Sequence, residues 1–361
     1  MIIQLESLRG IAALTVVLYH YSFTARNTIT ETFFILNGYT MVDFFFLLSG
    51  YIITLSVFEK LNTLNDIKYF IFRRFFRIYP LHFLFLILYT LLEIIIYFFE
   101  LKTGINRNYN LPNNSISFMH NLILTNGFLL KVETFNAPSW SVSVEFYCYI
   151  FFSILVFFLK KYYKLFAIII IFISVAILYN YTRIESLSFE RITSGYITLF
   201  RCFYCFFIGS LFFFIFKKHN LKINKLFNVL ILFILGILFI GKEQFNYFLP
   251  LIFGLIIFFA HYGSQYNYIN KVLSNKILVY LGTISYTIYI SHYIILWFFR
   301  QFYRFVYKAN TMDANSSFTI VGLESYIFIL FAIIATIILS LFLNIFLERK
   351  FIYFARKKFK K

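Results

Sequence analysis

Apolar residues along this chain come in long unbroken runs rather than in the short alternation of a surface strand or the one-sided stripe of a surface helix. A membrane-crossing helix needs about 20 predominantly apolar residues. Ten runs qualify, roughly 5–25, 40–58, 78–99, 140–159, 164–181, 194–216, 226–241, 246–261, 277–300 and 324–347. The seventh and eighth are short and closely joined, which fits one re-entrant pair or two tilted spans; two spans are the reading adopted. The pattern predicts an all-α fold, a polytopic integral membrane helical bundle of about ten transmembrane helices. No small-residue cleavage site follows the first run, so it is expected to stay as a helix. Pro80, early in the third run, suits the first turn of a helix, where the missing N–H costs nothing.

Composition agrees with the pattern. The 361 residues are 61 % hydrophobic and 13 % charged, with a mean hydropathy of +0.79; a soluble globule carries about 25 % charged residues. The net charge of +18 would suggest nucleic acid in a soluble protein. Here the basic residues gather in short segments between apolar runs, so no nucleic-acid partner is expected and the charge reads as topology. Alternating from a cytoplasmic N-terminus places about two-thirds of the 33 Lys and Arg residues in inside segments, which fits the positive-inside rule with both termini cytoplasmic. Residues 1–348 then form one membrane domain, and 349–361, ending "RKKFKK", a solvated basic tail at the anionic inner leaflet. Cys148, Cys202 and Cys205 lie in or beside apolar runs, which speaks against a disulfide framework or a soluble zinc site, and no metal is expected. No internal repeat of the kind found in many transporters is visible. The longest external connection, about 100–139, begins with the Asn-rich "GINRNYNLPNNS" and offers a surface on which an acceptor could be gripped.

Ionisable residues inside spans are costly and mark function by default. Arg9 and His20 are eleven positions apart, about 16 Å along a helix, which puts Arg9 at the inner interface and His20 past mid-membrane. Asp43 in "MVDFFFLLSGY" and Glu145 in "PSWSVSVEF" each stand near the start of a span that enters from outside. His292 stands late in a span that leaves to the outside. Four titratable groups are thus expected in the outer half, with Arg9 and "RRFFR" (Arg73, Arg74, Arg77) at the inner face. Each has a structural alternative. Asp43 and Glu145 suit helix N-termini, His292 suits an internal hydrogen bond, and the arginine cluster suits ordinary positive-inside anchoring. Glu93 has no obvious partner and is read as structural.

In order along the chain stand Arg9 and His20 with ten residues between, "VDFFFLLSGYII", "RRFFRIYPLHF", "PSWSVSVEF" and "LGTISYTIYISH". This ordered set resembles the membrane-integral acyltransferases of the acyltransferase-3 family, which modify bacterial surface glycans, from Leu5 to the "LERKF" at 347–351. The resemblance implies a ten-helix enzyme of the bacterial inner membrane that takes an acyl group, usually acetyl from acetyl-CoA, at the cytoplasmic face and delivers it to a sugar hydroxyl of a surface or lipid-linked glycan beyond the membrane. It implies that Arg9 and His20 are essential and that Arg73, Arg77 and Glu145 belong to the family pattern. Serine precedes His292 where an aromatic residue is frequent, and Lys350 follows "LER" where proline is frequent. No hydrolase-like domain of the sort some members carry follows the last span, so relay to one would need a second protein.

The transfer has a physical reading. Arginine forks bind phosphate bidentately, so Arg9, Arg73, Arg74 and Arg77 suit the phosphates of an acyl-CoA donor whose long arm reaches up a groove between helices. A neutral imidazole that removes a hydroxyl proton contributes typically 10² to 10⁴ in rate; His20 is the expected base, with Glu145 or Asp43 orienting it and His292 as a further catalytic candidate. Ser49, Trp140, Ser141 and Ser143 are candidate oxyanion donors, and direct transfer is preferred to an acyl-enzyme. A carrier or flippase that moves a glycan or lipid without chemistry, and a membrane scaffold, are the readings from other classes.

Overall fold

The computed structural model describes residues 2–103, 112–185, 188–218, 246–262, 268–306 and 319–358. Fifteen helices carry most of them: α1 Ile3–Ser22, α2 Phe33–Leu36, α3 Thr40–Val57, α4 Leu64–Thr103, α5 Ser115–Leu122, α6 Asn126–Leu129, α7 Ser139–Leu159, α8 Tyr163–Ile184, α9 Ile197–Lys218, α10 Leu249–Tyr262, α11 Tyr268–Leu273, α12 Lys276–Thr283, α13 Ser285–Val306, α14 Leu323–Leu343 and α15 Arg349–Lys357. Among the described residues there is no strand, only one isolated bridge between Ala25 and Ile320. The all-α expectation agrees with this.

Five helical runs are long and apolar enough to cross a membrane, Thr40–Lys60, Leu64–Phe98, Ser139–Ile184, Ile197–Ile215 and Leu323–Lys357, and a bent pair makes a sixth. Their outward faces are apolar, with Phe158, Phe172 and Ile184 each more than two-thirds exposed. Such a surface is tolerated in lipid and not in water. The expected spans at 5–25 and 246–261 correspond to α1, which is interrupted by Glu6, Arg9 and His20, and to the short apolar α10. The expected span at 226–241 lies outside the described residues.

Three expectations are corrected. The third span is part of a 40-residue helix, α4, about 60 Å long and so about twice the hydrocarbon thickness. It starts at a reciprocal cap in which the Thr63 and Asp66 side chains each accept from the other's backbone N–H, at 2.8 and 3.2 Å, and the chain runs straight through Pro80 in the helix interior. The ninth span, 277–300, is broken into α12 and α13 with a 71° bend. At the break Thr283 Oγ1 donates to the Tyr280 carbonyl and Thr287 Oγ1 to that of Ile284, at 2.7 and 2.6 Å; hydroxyls that take up backbone carbonyls bend helices in this way. Past the tenth span the chain continues through a π-helical turn, Asn344–Glu348, into α15. The described part of the basic tail is therefore helix Arg349–Lys357, packed on α4; residues 359–361 lie outside the described residues.

Two crossings set the bundle, and both bring backbone against backbone. A Cβ on Gly50 of α3 would lie 1.9 Å from the Phe206 carbonyl oxygen of α9, and one on Gly209 of α9 would lie 1.9 Å from that of Leu47. The second crossing joins α1 to α12, where a Cβ on Gly282 would meet the Glu6 carbonyl at 1.9 Å. Small residues allow such approach between helices in lipid. Gly209→Val should cost about 3 kcal/mol or more by overpacking, read as a lower melting temperature in detergent; an unchanged melting temperature would mean that the crossing yields without cost.

Candidate functional site

α4 repeats aromatic and cationic residues at helical spacing, Tyr69 and Phe70, then Arg73 and Arg74, then Arg77 and Ile78, which lays them along one face. That face forms a wall of a cavity of about 630 Å³, within the range of small-molecule sites, whose other walls come from α1, α3, α7, α13 and α15. Six cationic side chains line it, Arg9, Lys60, Arg73, Arg74, Arg77 and Arg356, against three acidic ones, Glu6, Asp66 and Glu145. The Arg74 guanidinium lies between the rings of Phe70 and Tyr149, 5.5 and 5.4 Å from their centroids, and that of Arg73 lies 5.3 Å from the Tyr69 ring. Arg9 Nη1 meets the Glu6 carboxylate at 3.0 Å. Ser49 of α3 donates a hydrogen bond to Glu145, and Tyr149 Oη approaches Ser49 Oγ at 3.4 Å.

The second constellation is a pair of imidazoles. His20 Nδ1 lies 3.1 Å from His292 Nε2 and 3.0 Å from the Val16 carbonyl oxygen, while His292 Nδ1 lies 2.6 Å from the Tyr289 carbonyl oxygen. These contacts have one consistent assignment of protons for two neutral rings. Facing a carbonyl, His292 Nδ1 must bear the hydrogen, so its Nε2 accepts. His20 Nδ1 then bears a hydrogen shared between Val16 and His292, and His20 Nε2 is left as an unprotonated base. His292 is fully buried and His20 partly exposed. Tyr21 Oη supports the pair from behind, 3.3 Å from the His292 carbonyl oxygen and 2.7 Å from Thr336 Oγ1.

The cavity and the histidines are neighbours without sharing a wall. Tyr289 lines the cavity, with Phe45 against its ring at 6.0 Å, and its own ring centroid lies 5.9 Å from that of His292. Among the described residues, the lining of this cavity includes Tyr289 and neither His20 nor His292, so it does not by itself form the expected groove from Arg9 to His20.

The expected meeting of four titratable groups is also corrected. His20 and His292 do meet. Glu145 instead joins the arginine cavity and bonds Ser49, with α7 carrying it inward from its start at Ser139. Asp43 belongs to a third group: Arg201 holds both its oxygens, Nε to Oδ1 at 2.7 Å and Nη2 to Oδ2 at 2.9 Å, while Nη1 donates to the carbonyls of Phe189 and Ile192 at 3.2 and 2.9 Å. Both residues are buried. Asp43 is thus a clamp between α3, α9 and the turn at Phe189–Arg191, and makes no helix cap. Arg201 was not anticipated, although an arginine inside the apolar run "ITLFRCFYCFF" is a legible signal. Of the candidate oxyanion donors, Ser143 is committed to the Leu124 carbonyl at 2.7 Å and Ser141 to Tyr289 Oη at 2.7 Å.

A helical chain with apolar outer faces, a cationic cavity and an imidazole pair has the parts of a membrane enzyme. The family comparison agrees: residues 2–345 match the family model described as an acyltransferase domain, and the chain belongs to that acyltransferase-3 family. No curated protein and no solved structure matches it.

The clamp makes a separable prediction. Arg201→Leu leaves the Asp43 carboxylate buried and unpaired, which costs about 3–5 kcal/mol, whereas Arg201→Leu combined with Asp43→Leu should recover most of that. Melting curves of the three proteins decide it, and an Arg201→Leu variant as stable as the parent would remove the clamp from the account.

Proposed function

We propose that the protein is a multi-pass O-acyltransferase of the bacterial cytoplasmic membrane, with ten spans and both termini cytoplasmic. In this reading it takes an acyl group, acetyl in the simplest case, from acyl-CoA at the inner face and transfers it to a sugar hydroxyl of a surface or lipid-linked glycan. One observation carries the reading: five arginines line a cavity that Tyr289 also lines, and the Tyr289 ring lies 5.9 Å from that of His292, in an imidazole pair that leaves a base free.

Arg73, Arg74 and Arg77 would bind the donor's phosphates through bidentate N–H contacts, with Arg9 deeper and Glu145, braced by Ser49, keeping the guanidinium groups apart and oriented. Tyr289 and Phe45 form the partition that the donor's thioester arm must pass, by side-chain rotation, to come level with the histidines. His20 Nε2 then accepts the proton of the acceptor hydroxyl as its oxygen bonds to the thioester carbonyl carbon. Collapse of the tetrahedral adduct breaks the carbon–sulfur bond, and the proton held on His20 returns to the departing thiolate. His292 is a positioning residue in this scheme: by accepting from His20 Nδ1 it fixes the tautomer that makes Nε2 basic.

Proteoliposomes supplied with labelled acetyl-CoA and an extracted surface-glycan acceptor test the proposal. Labelled glycan supports it; translocation of glycan without label would favour a carrier. His20→Ala should lower the rate at least about 100-fold while the protein still inserts and melts as the parent does, and retained activity removes His20 as the base.

His292 is tested by geometry rather than by loss alone. His292→Gln offers an amide oxygen near the position of Nε2 and should retain more activity than His292→Leu, with a pH profile closer to the parent's. Equal loss in both variants would reduce His292 to a packing role.

A further inference from the structure

The helix that ends the described chain is built into the cavity. Ile352, Ala355 and Arg356 of α15 line it. The helix docks on α4 through aromatic contacts, the Phe351 and Phe354 rings lying 6.2 and 5.4 Å from that of Phe76, and Lys358 Nζ lying 5.2 Å from the Phe72 ring. Later residues of α15 thus meet earlier residues of α4, so the two helices run antiparallel. Ala355 is 1 % exposed at this contact. The π-helical turn before α15 adds a residue to one turn, which rotates the face that follows by about 100°, and the Asn344 side chain donates to the buried Glu348 at 2.6 Å within it. That rotation sets the face of α15 from which Ile352, Ala355 and the exposed Arg356 line the cavity.

Antiparallel packing also fixes depth. Phe351 and Phe354 stand beside Phe76, next to Arg77, and Lys358 stands beside Phe72, so Arg356 falls level with the turn that carries Arg73. Arg356 is exposed whereas Arg77 and Arg9 are half-buried, so it lies nearer to solvent than either. Lys60, Asp66 and Tyr69, which line the same cavity, mark the end where α4 begins.

We propose that Arg356 is a phosphate-binding residue of the donor cavity and that α15 is its outer wall, selecting a carrier that has a phosphate at the end remote from its acyl group. The inference rests on the reading of this cavity as a donor site. Coenzyme A has such an outlying group, the phosphate on its ribose, in addition to the pyrophosphate that joins ribose to the arm. Arginines from α4 face the cavity from one side and Arg356 faces it from another. Two phosphate positions can thus be held at once, with the arm directed inward toward Tyr289.

Binding of acetyl-CoA and of its 3′-dephospho form to the full-length protein in phosphatidylcholine nanodiscs separates the possibilities. The parent should bind the dephospho form about tenfold more weakly, as expected for loss of one charge-assisted contact. Arg356→Ala should lose about tenfold for acetyl-CoA and nothing for the dephospho form, Arg356→Lys should recover part of it, and Arg73→Ala should weaken both carriers. Lys357→Ala, which changes the same net charge outside the cavity, should leave both unchanged. An Arg356→Ala protein that binds acetyl-CoA as the parent does, or that loses both carriers equally, overturns the assignment while the donor site stands on Arg73. Failure of the parent to bind either carrier overturns the donor site itself. If Arg356→Ala matters only once phosphatidylglycerol is added to the nanodisc, the residue reads a membrane surface and the proposal falls.

Discussion

Carrying a charged side chain to the middle of a membrane helix costs at least about 2.5–3.5 kcal/mol, and every feature of the site is a way of meeting that cost. Arg201 meets it most fully. Its guanidinium spends four of its five N–H donors on Asp43 and two carbonyls, with the rings of Trp140 and Phe189 5.5 and 4.8 Å away. The cavity arginines meet it only in part. Arg74 has aromatic faces and Arg9 has Glu6, but six cations share three carboxylates, and the excess is available to an anion that arrives from water. The contrast separates a structural charge from a functional one by its satisfied valence, not by its depth.

α3 couples these two uses of charge. It contributes Asp43 to the clamp and, about 1.7 turns further on, the adjacent Ser49 to Glu145 and Gly50 to the backbone crossing with α9. Because α9 brings Arg201 to Asp43 and presses on Gly50, a shift of α9 along α3 would disturb the clamp and the seat of Glu145 together. Rigid placement of this kind is what a transfer site needs, since a displacement of about 1 Å can cost about 10² in rate. In the proposed reaction the element that moves is elsewhere, at Phe45 and Tyr289, where aromatic side chains stand between the cavity lining and the imidazoles.

Much of this was legible in the sequence, for reasons that also explain what was not. Long apolar runs announce helices in lipid directly, and Arg9, His20, His292 and the "RRFFR" stripe stand out because lipid should reject them. Pairings do not stand out. Asp43 and Arg201 are 158 positions apart, and one sequence holds no record of which buried charges meet, so Asp43 was grouped with the histidines by depth alone. Glu145 failed in the same way, because depth along a helix does not say which neighbour a side chain faces. Local chemistry was readable and overlooked at Thr63 and Asp66, whose spacing is that of a reciprocal cap and starts α4 well before its apolar stretch. The π turn at Asn344 leaves no such signature, and with it went the fate of the basic tail.

The extra length of α4 makes sense against the size of the proposed acyl-CoA donor. A helix that began at Ile78, as the apolar run alone would have it, would present no arginine stripe, since Arg73, Arg74 and Arg77 would belong to a loop and would each lose backbone definition. Extending the helix by about four turns sets Arg73 and Arg77 about one turn, roughly 6 Å, apart along the axis with Arg74 beside Arg73. It also gives α15 a surface to dock against. Phe72 and Phe76 receive α15 on a different face from the one that holds the stripe, so the two helices meet edge to edge and leave the arginines uncovered. The part of the protein that projects beyond the hydrocarbon is in this way as ordered as the part within it. A phosphate-bearing substrate requires that arrangement, because water screens its charges at the interface and only a walled, preorganised set of donors can compete with hydration for them.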